Sequence, residues 1–276
     1  MSMYIPLSHA LKILYTYLVE LPYALILGVV EGITEFLPIS STGHLIFVSN
    51  LLRIEQTEFV KTFEIAIQSG AILAVVFLYF RTVFGNFELI KRILVAFVPT
   101  AIIGFTLYKF IKQYLIGSSE VVLLSLFLGG IVLIAVEFIF KAKSQKLTAK
   151  SQLSYEKAFV IGLFQSVSMI PGISRAAATI IGGLLVGLTR KEAVEFSFLL
   201  AVPTMLAATA LDLNQSNFLQ LTSYQLTALT AGFITSFAVA LISIKWLLKY
   251  IQANTFIPFG IYRIIISILY FFLILK

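Results

Sequence analysis

The chain has 276 residues, 59% of them apolar and 12% charged, with a mean hydropathy of +1.00. A soluble domain carries about 25% charged residues, so composition excludes an ordinary globular protein and indicates a polytopic membrane protein. The net charge of +7 is no nucleic-acid footprint, because the basic residues fall mostly in short segments between apolar runs, and without cysteine there is no disulfide, thiolate metal site or thiol nucleophile.

The first twenty residues lack a basic stretch followed by a small-residue cleavage site. Leu7, Leu11, Leu14, Tyr15 and Leu18 recur at helical spacing, which predicts an amphipathic interfacial helix over 1–20. Six later segments reach the ~20 residues that a span needs: roughly Thr62–Phe80, Arg92–Lys112, Ser119–Phe140, Lys191–Leu211, Gln225–Lys249 and Ile257–Leu275. Two other apolar regions are interrupted, 22–52 at Pro38 to Gly43 and 156–188 at Pro171-Gly172. Their halves are too short to cross, and broken helices at membrane depth must be buried in protein or line a wet cavity. Both are therefore expected to be re-entrant hairpins. Arg81, Lys91, Arg92, Lys141, Lys143, Lys146, Lys150, Lys157, Arg190, Lys191, Lys245 and Lys249 then share one side, which is the cytoplasmic one by the positive-inside rule. The first hairpin enters from outside and the second from the cytoplasm. Arg263, near the start of the last span, is expected to snorkel to the interface.

Leu27-Gly28-Val29-Val30-Glu31 aligns with Ile161-Gly162-Leu163-Phe164-Gln165, and one gap later Pro38 meets Pro171 and Ser41 meets Ser174. The expected fold is all-α: about six spanning helices and two hairpins in an inverted-topology repeat, with a first repeat over 21–140 and a second over 156–276. In such folds the site lies where the broken helices meet.

The first break holds unusual chemistry for an apolar setting. Glu31 and Glu35 are one helical turn apart, Ser40-Ser41-Thr42 follow Pro38, and His44 is one of two histidines in the chain. A second short helix should start near Ser41 or Thr42. In the second hairpin Arg175 opens an Ala-rich helix, and a guanidinium there needs an anion, for which its planar fork suits phosphate. Two helix N-termini meeting at one spot add their own anion affinity. Glu31 and Glu35 would repel that anion, which calls either for a hard divalent cation, Mg²⁺ or Ca²⁺, or for one protonated carboxyl acting as general acid or base. Ser41 is the candidate nucleophile, with Ser40 and Thr42 as rivals, and His44 can shuttle a proton.

The run E-x-x-x-E-F-L-P-I-S-S-T-G-H from Glu31 and the run P-G-x-S-R-x-x-x-T from Pro171 resemble the bacterial undecaprenyl-diphosphatase, or bacitracin-resistance, family. The resemblance extends from about Leu21 to Arg263. It implies a divalent-cation-dependent phosphatase in the bacterial inner membrane, acting on a polyprenyl diphosphate lipid at a site open to the outer face, and it accords with a homodimer. It carries over to Glu31, Glu35, Ser40, Ser41, His44, Ser174, Arg175 and Thr179. Ala176 stands where the family commonly has a second serine. The expected catalytic set is Ser41, His44, Glu35 and Glu31. The diphosphate-binding set is Arg175, Ser174, Ser40, Thr42 and Thr179, and Glu31 and Glu35 are the metal ligands. Most have an ordinary alternative: Glu31 and Glu35 as a structural hydrogen-bonding pair capping the broken backbone, Ser41 as a helix N-cap, Arg175 as a carboxylate lock, His44 as a carbonyl donor, and Ser174 and Thr179 as helix-packing hydroxyls. A lipid flippase or ion-coupled carrier on the same scaffold is the alternative function.

Overall fold

The computed structural model describes residues 7–115, 118–144, 153–213 and 221–275; side chains of 7–20, Tyr108, Lys112, 141–144, 212–213 and 274–275 lie outside the description. The amphipathic face expected over 1–20, and the basic side chains of Lys12, Lys112, Lys141, Lys143, Lys146, Lys150 and Lys276, therefore fall outside it as well. Among the described residues the fold is all-α, with no strand. The helices are α1 (Leu7–Thr34), α2 (Ser41–Leu51), α3 (Glu58–Phe84), α4 (Phe87–Tyr114), α5 (Ser119–Ser144), α6 (Tyr155–Val167), α7 (Arg175–Leu185), α8 (Arg190–Leu213), α9 (Ser223–Tyr250) and α10 (Ile257–Tyr270), the last running on as a π-helical turn over Phe271–Leu275.

Among the described residues five helices, α3, α4, α5, α8 and α9, are long and apolar enough to cross a bilayer. The expected sixth span is shorter: α10 has 14 α-helical residues before its geometry changes. Helix starts at α3, α4 and α9 precede the apolar runs because polar caps extend them. Thr57, Asn86 and Thr222 accept hydrogen bonds from the N–H groups of Val60, Leu89 and Gln225. The 1–20 segment is not a separate helix, since α1 runs unbroken from Leu7 through Pro22. Large apolar side chains such as Phe77, Phe105 and Ile242 stand exposed on the outer faces. In water such a surface would be a liability; in hydrocarbon it matches its surroundings. The chain is a multi-pass membrane protein.

The two broken regions match without a gap at a constant spacing of 134 positions. Ser40 and Ser174 cap α2 and α7 with φ of 73° in both, and each side chain accepts the N–H three residues on. Both following helices have 11 residues. Both end on a positive-φ residue, Arg53 (56°) and Gly187 (89°). The gap in the sequence alignment is therefore unnecessary: Ser40, not Ser41, is the partner of Ser174. The spacing pairs Gly28 with Gly162, and each lies against the backbone of a long helix. An added Cβ would come 2.7 Å from the carbonyl oxygen of Gly232 in α9 at the first and 2.0 Å from that of Ala96 in α4 at the second. Eleven residues of α-helix reach only about 16 Å, half the hydrocarbon thickness of about 30 Å, so neither α2 nor α7 can cross a bilayer by itself. Phe36 of the first break meets Phe198 of α8 edge to face at 5.3 Å, both rings fully buried, and this contact centres the core between the breaks.

Arg263 does not snorkel. It is fully buried, and all its five N–H bonds go to backbone carbonyls, of Ser125 and Leu126 in α5 and of Pro38, Gly172 and Ile173 in the two breaks. The interruptions free carbonyls that a continuous helix would use, and these take the place of water around the cation.

Candidate active site

Both breaks open into one polar cavity of about 270 Å³, lined by Glu35, Ser40, Ser41, Thr42, Ser174 and Arg175, with Gln68, Thr100 and Thr204 on the facing walls. Six of the nine residues singled out from the sequence thus meet there, contributed by two helix starts 134 positions apart. Ser40 and Ser174 hold φ values that side chains with a Cβ seldom adopt, a strain that tends to collect at functional sites. It turns each chain sharply enough for the next helix to begin at the cavity wall. The first N–H groups of α2 and α7 have no intrahelical acceptor, and one in each helix is taken by the capping serine, those of Gly43 and Ala177. The rest of these turns is suited to an anion.

The side chains form a directed chain. Ser41 Oγ donates to Glu35 Oε2 at 2.5 Å, and Arg175 Nη2 donates to Glu35 Oε1 at 2.9 Å. Arg175 Nη1 is held by the Ser197 carbonyl at 3.0 Å, while its Nε is buried without a protein acceptor. A hydroxyl bonded to a carboxylate that a third group orients is the arrangement of an activated nucleophile. Ser40 supplies the N-cap, which leaves Ser41 as the first residue of the helix with its hydroxyl free for this chain. The cap reading belongs to Ser40.

Three sequence candidates do not line the cavity. His44 is buried one turn into α2, where its Nδ1 donates to the Ser40 carbonyl and its Nε2 pairs with the Tyr262 hydroxyl, both at 2.7 Å. It ties the capping turn to α10, and the carboxylate in contact with Ser41 is that of Glu35. Thr179 sits behind Arg175, sharing a 2.5 Å hydrogen bond with Ser197 and donating to the Arg175 carbonyl. Glu31 is fully buried, and neither of its oxygens meets a protein donor. The ionisable neighbours acting on it include the carboxylates of Glu35 and Glu64.

Sequence reasoning missed Ser197, Thr100 and Thr204. They come from α4 and α8, far from the motifs, and carry no local signal. Gln165, the counterpart of Glu31, did carry one: a fully buried amide in an apolar helix. Its Nε2 donates to both Thr100 and Thr204 at 2.9 Å.

A family model described as bacitracin resistance protein BacA matches residues 24–269. The chain belongs to the BacA family. Curated relatives agree with this over nearly their whole length. An undecaprenyl-diphosphatase of Sulfurihydrogenibium sp. is 57% identical over 250 residues, covering 90% of this chain and 97% of the relative. One from Persephonella marina is 52% identical over 252 residues, 91% and 98% of the two chains. One from Aquifex aeolicus is 54% identical over 247 residues, 90% and 96% of the two. In this BacA-family chain the free hard-oxygen donors that a divalent cation would need are those of Glu31, both oxygens of Glu35 being engaged by Ser41 and Arg175. Glu31 offers two buried oxygens without donors, one turn from Glu35. Among the described residues no cluster of three or more His, Cys, Asp or Glu forms a closed metal cage. Two carboxylates completed by phosphate oxygens is the usual way Mg²⁺ is bound.

Proposed function

We propose that this chain hydrolyses undecaprenyl diphosphate to undecaprenyl phosphate and inorganic phosphate in the bacterial inner membrane, returning the lipid carrier to cell-wall synthesis. The observation that carries the reading is the Ser41–Glu35–Arg175 chain at the meeting of two helix N-termini; the names of the relatives give the substrate. The terminal phosphate sits between the starts of α2 and α7, where N–H groups and the free Nε of Arg175 receive its oxygens. Ser41 Oγ attacks phosphorus and loses its proton to Glu35. The P–O bond to the bridging oxygen breaks, and undecaprenyl phosphate leaves. Glu35 passes the serine proton to the departing bridging oxygen. Water then attacks the phosphoserine, giving a proton to Glu35, which returns it to Ser41 Oγ as the Ser–P bond breaks and inorganic phosphate departs. Glu31 and Glu35 would hold a divalent cation, which neutralises phosphate charge when bound. The protein's contribution is positioning and electrostatics, the main resources in phosphoryl transfer.

The surroundings agree with a lipid substrate at an outward-facing site. Thr204, Met205 and Ala208 of the cavity wall lie in the C-terminal half of α8, away from its basic start at Arg190 and Lys191. An apolar crevice of about 390 Å³ between α4 and α8 shares Thr100, Met169, Thr204 and Ala208 with the polar cavity. It continues over Phe97 and Leu211, and it receives the first part of the polyprenyl tail.

Purified protein in detergent should release phosphate from undecaprenyl diphosphate with Mg²⁺ or Ca²⁺ present and stop on chelation. No release with either metal refutes the reading. Ser41→Ala should lower kcat by far more than about tenfold (1.4 kcal/mol) while a non-hydrolysable analogue still binds. Activity above a tenth of the parent would remove the nucleophile from Ser41.

A further inference from the structure

We infer that Arg263 is a positioning residue that fixes the distance between the two breaks, and through them between Ser41 and Arg175. The inference rests on the phosphatase reading for its readout. The guanidinium acts as a five-pronged fastener. Nη1 donates to Pro38 O at 3.2 Å and to Ile173 O at 2.9 Å, so one nitrogen joins both breaks. Nη2 donates to Gly172 O and Ser125 O, both at 3.0 Å, and Nε to Leu126 O at 3.2 Å. Every donor that an arginine owns is used. Pro38 lies three residues before Ser41, and Ile173 two before Arg175. Between them stand Ile39 and the strained capping Ser40 in the first break and the strained capping Ser174 in the second, so the carbonyl that Arg263 grips is closely linked to the reacting side chain.

The rest of the molecule is shaped to admit this group. A Cβ on Gly129 would come 2.1 Å from Nη2 and 2.7 Å from Cζ, so the helix leaves a bare backbone where the guanidinium passes. Close α5–α10 packing at Gly130 and Gly260 holds the stem: a Cβ on Gly130 would meet the Gly260 carbonyl at 2.7 Å, and one on Gly260 the Gly130 carbonyl at 2.8 Å. A fully buried cation whose hydrogen bonds all end on carbonyls is costly. A core that needed only cohesion would be served by an apolar residue. The geometry here does something an apolar residue does not: it ties two interrupted backbones to one atom.

The test uses the full chain in detergent and three variants. Arg263→Lys keeps the charge but offers three donors at one point in place of a planar fork. Gly129→Ala keeps the arginine and displaces it. Arg190→Met breaks a different buried contact, with Glu137, and serves as the architectural control. For each, kcat and KM are referred to the folded fraction measured by thermal unfolding. We expect kcat per folded molecule to fall about 10- to 100-fold in Arg263→Lys and Gly129→Ala, the scale of a misplacement near 1 Å, with KM within about threefold. Arg190→Met should lose folded protein but keep its kcat. Parental kcat per folded molecule in Arg263→Lys and Gly129→Ala overturns the inference. So does a loss no larger than in Arg190→Met, and so does failure of both variants to fold, which would make Arg263 purely architectural. An inactive parent would instead refute the phosphatase reading.

Discussion

At the scale of single residues, Glu31 has the clearest consequence. It is fully buried, has no protein donor, and feels the charges of Glu35 and Glu64 on one side and of Arg175 on the other. Only a shared proton or a cation satisfies such a group. Glu31→Gln replaces it with an amide that can donate to Glu35. In chelator this should raise the midpoint of thermal unfolding by the equivalent of about 1–3 kcal/mol, the cost of an unsatisfied buried polar group. Phosphate release with metal should fall more than about tenfold if the carboxylate neutralises phosphate charge. A lower midpoint in chelator would show that the carboxylate is already satisfied in the resting protein. The site was legible in part because motif residues carry it. Glu35, Ser41 and Arg175 all line the cavity. Arg263 was misread because a lone arginine near a helix start ordinarily reaches the interface. What holds it is a set of carbonyls freed by two distant breaks, and no side chain announces them. The Tyr262 partner of His44 was not legible either: it lies 218 positions away on α10.

Among elements, the two helix–break–helix units were recognisable from Pro38 and Pro171-Gly172, but their edges were not. The first break spans 35–40 because Ser40 adopts a left-handed φ that local pattern assigns to glycine. The same feature explains why an alignment by side chain needed a gap and an alignment by backbone does not. Glycine matters where α6 crosses α4. A Cβ at 162 would lie 2.0 Å from the Ala96 carbonyl oxygen, backbone that has nowhere to go without separating the helices. Gly162→Ala should therefore cost several kcal/mol despite the better helix propensity of alanine, while Gly187→Leu meets open space and is limited to the strain of its φ of 89°. Thermal unfolding of both variants checks the order; equal midpoints would mean that α4 and α6 can part cheaply.

For the molecule as a whole, class and membrane character were written in composition, since a chain so poor in charge cannot cover a water-facing surface. Long-range fasteners were not. The Arg190 guanidinium and the Phe256 N–H bind opposite oxygens of the buried Glu137, which joins α5, α8 and the start of α10. Glu137 is twelve residues beyond Ser125, about 18 Å along α5 from the Arg263 attachment. Glu137→Gln should destabilise the fold by about 3–5 kcal/mol, the cost of breaking one side of a buried pair, and leave kcat per folded molecule unchanged. A drop in kcat without loss of stability would show that this end of α5 reports to the cavity. The crevice between α4 and α8 has a different kind of consequence. It runs from the polar cavity to an outer surface where Phe105 is 82% exposed, so a lipid taken up along it would enter sideways, its tail never crossing water. The quantity that governs encounter is then the mole fraction of substrate among its neighbouring lipids. Diluting a vesicle suspension leaves the turnover of each enzyme molecule as it was; diluting the substrate within the plane of the membrane slows it.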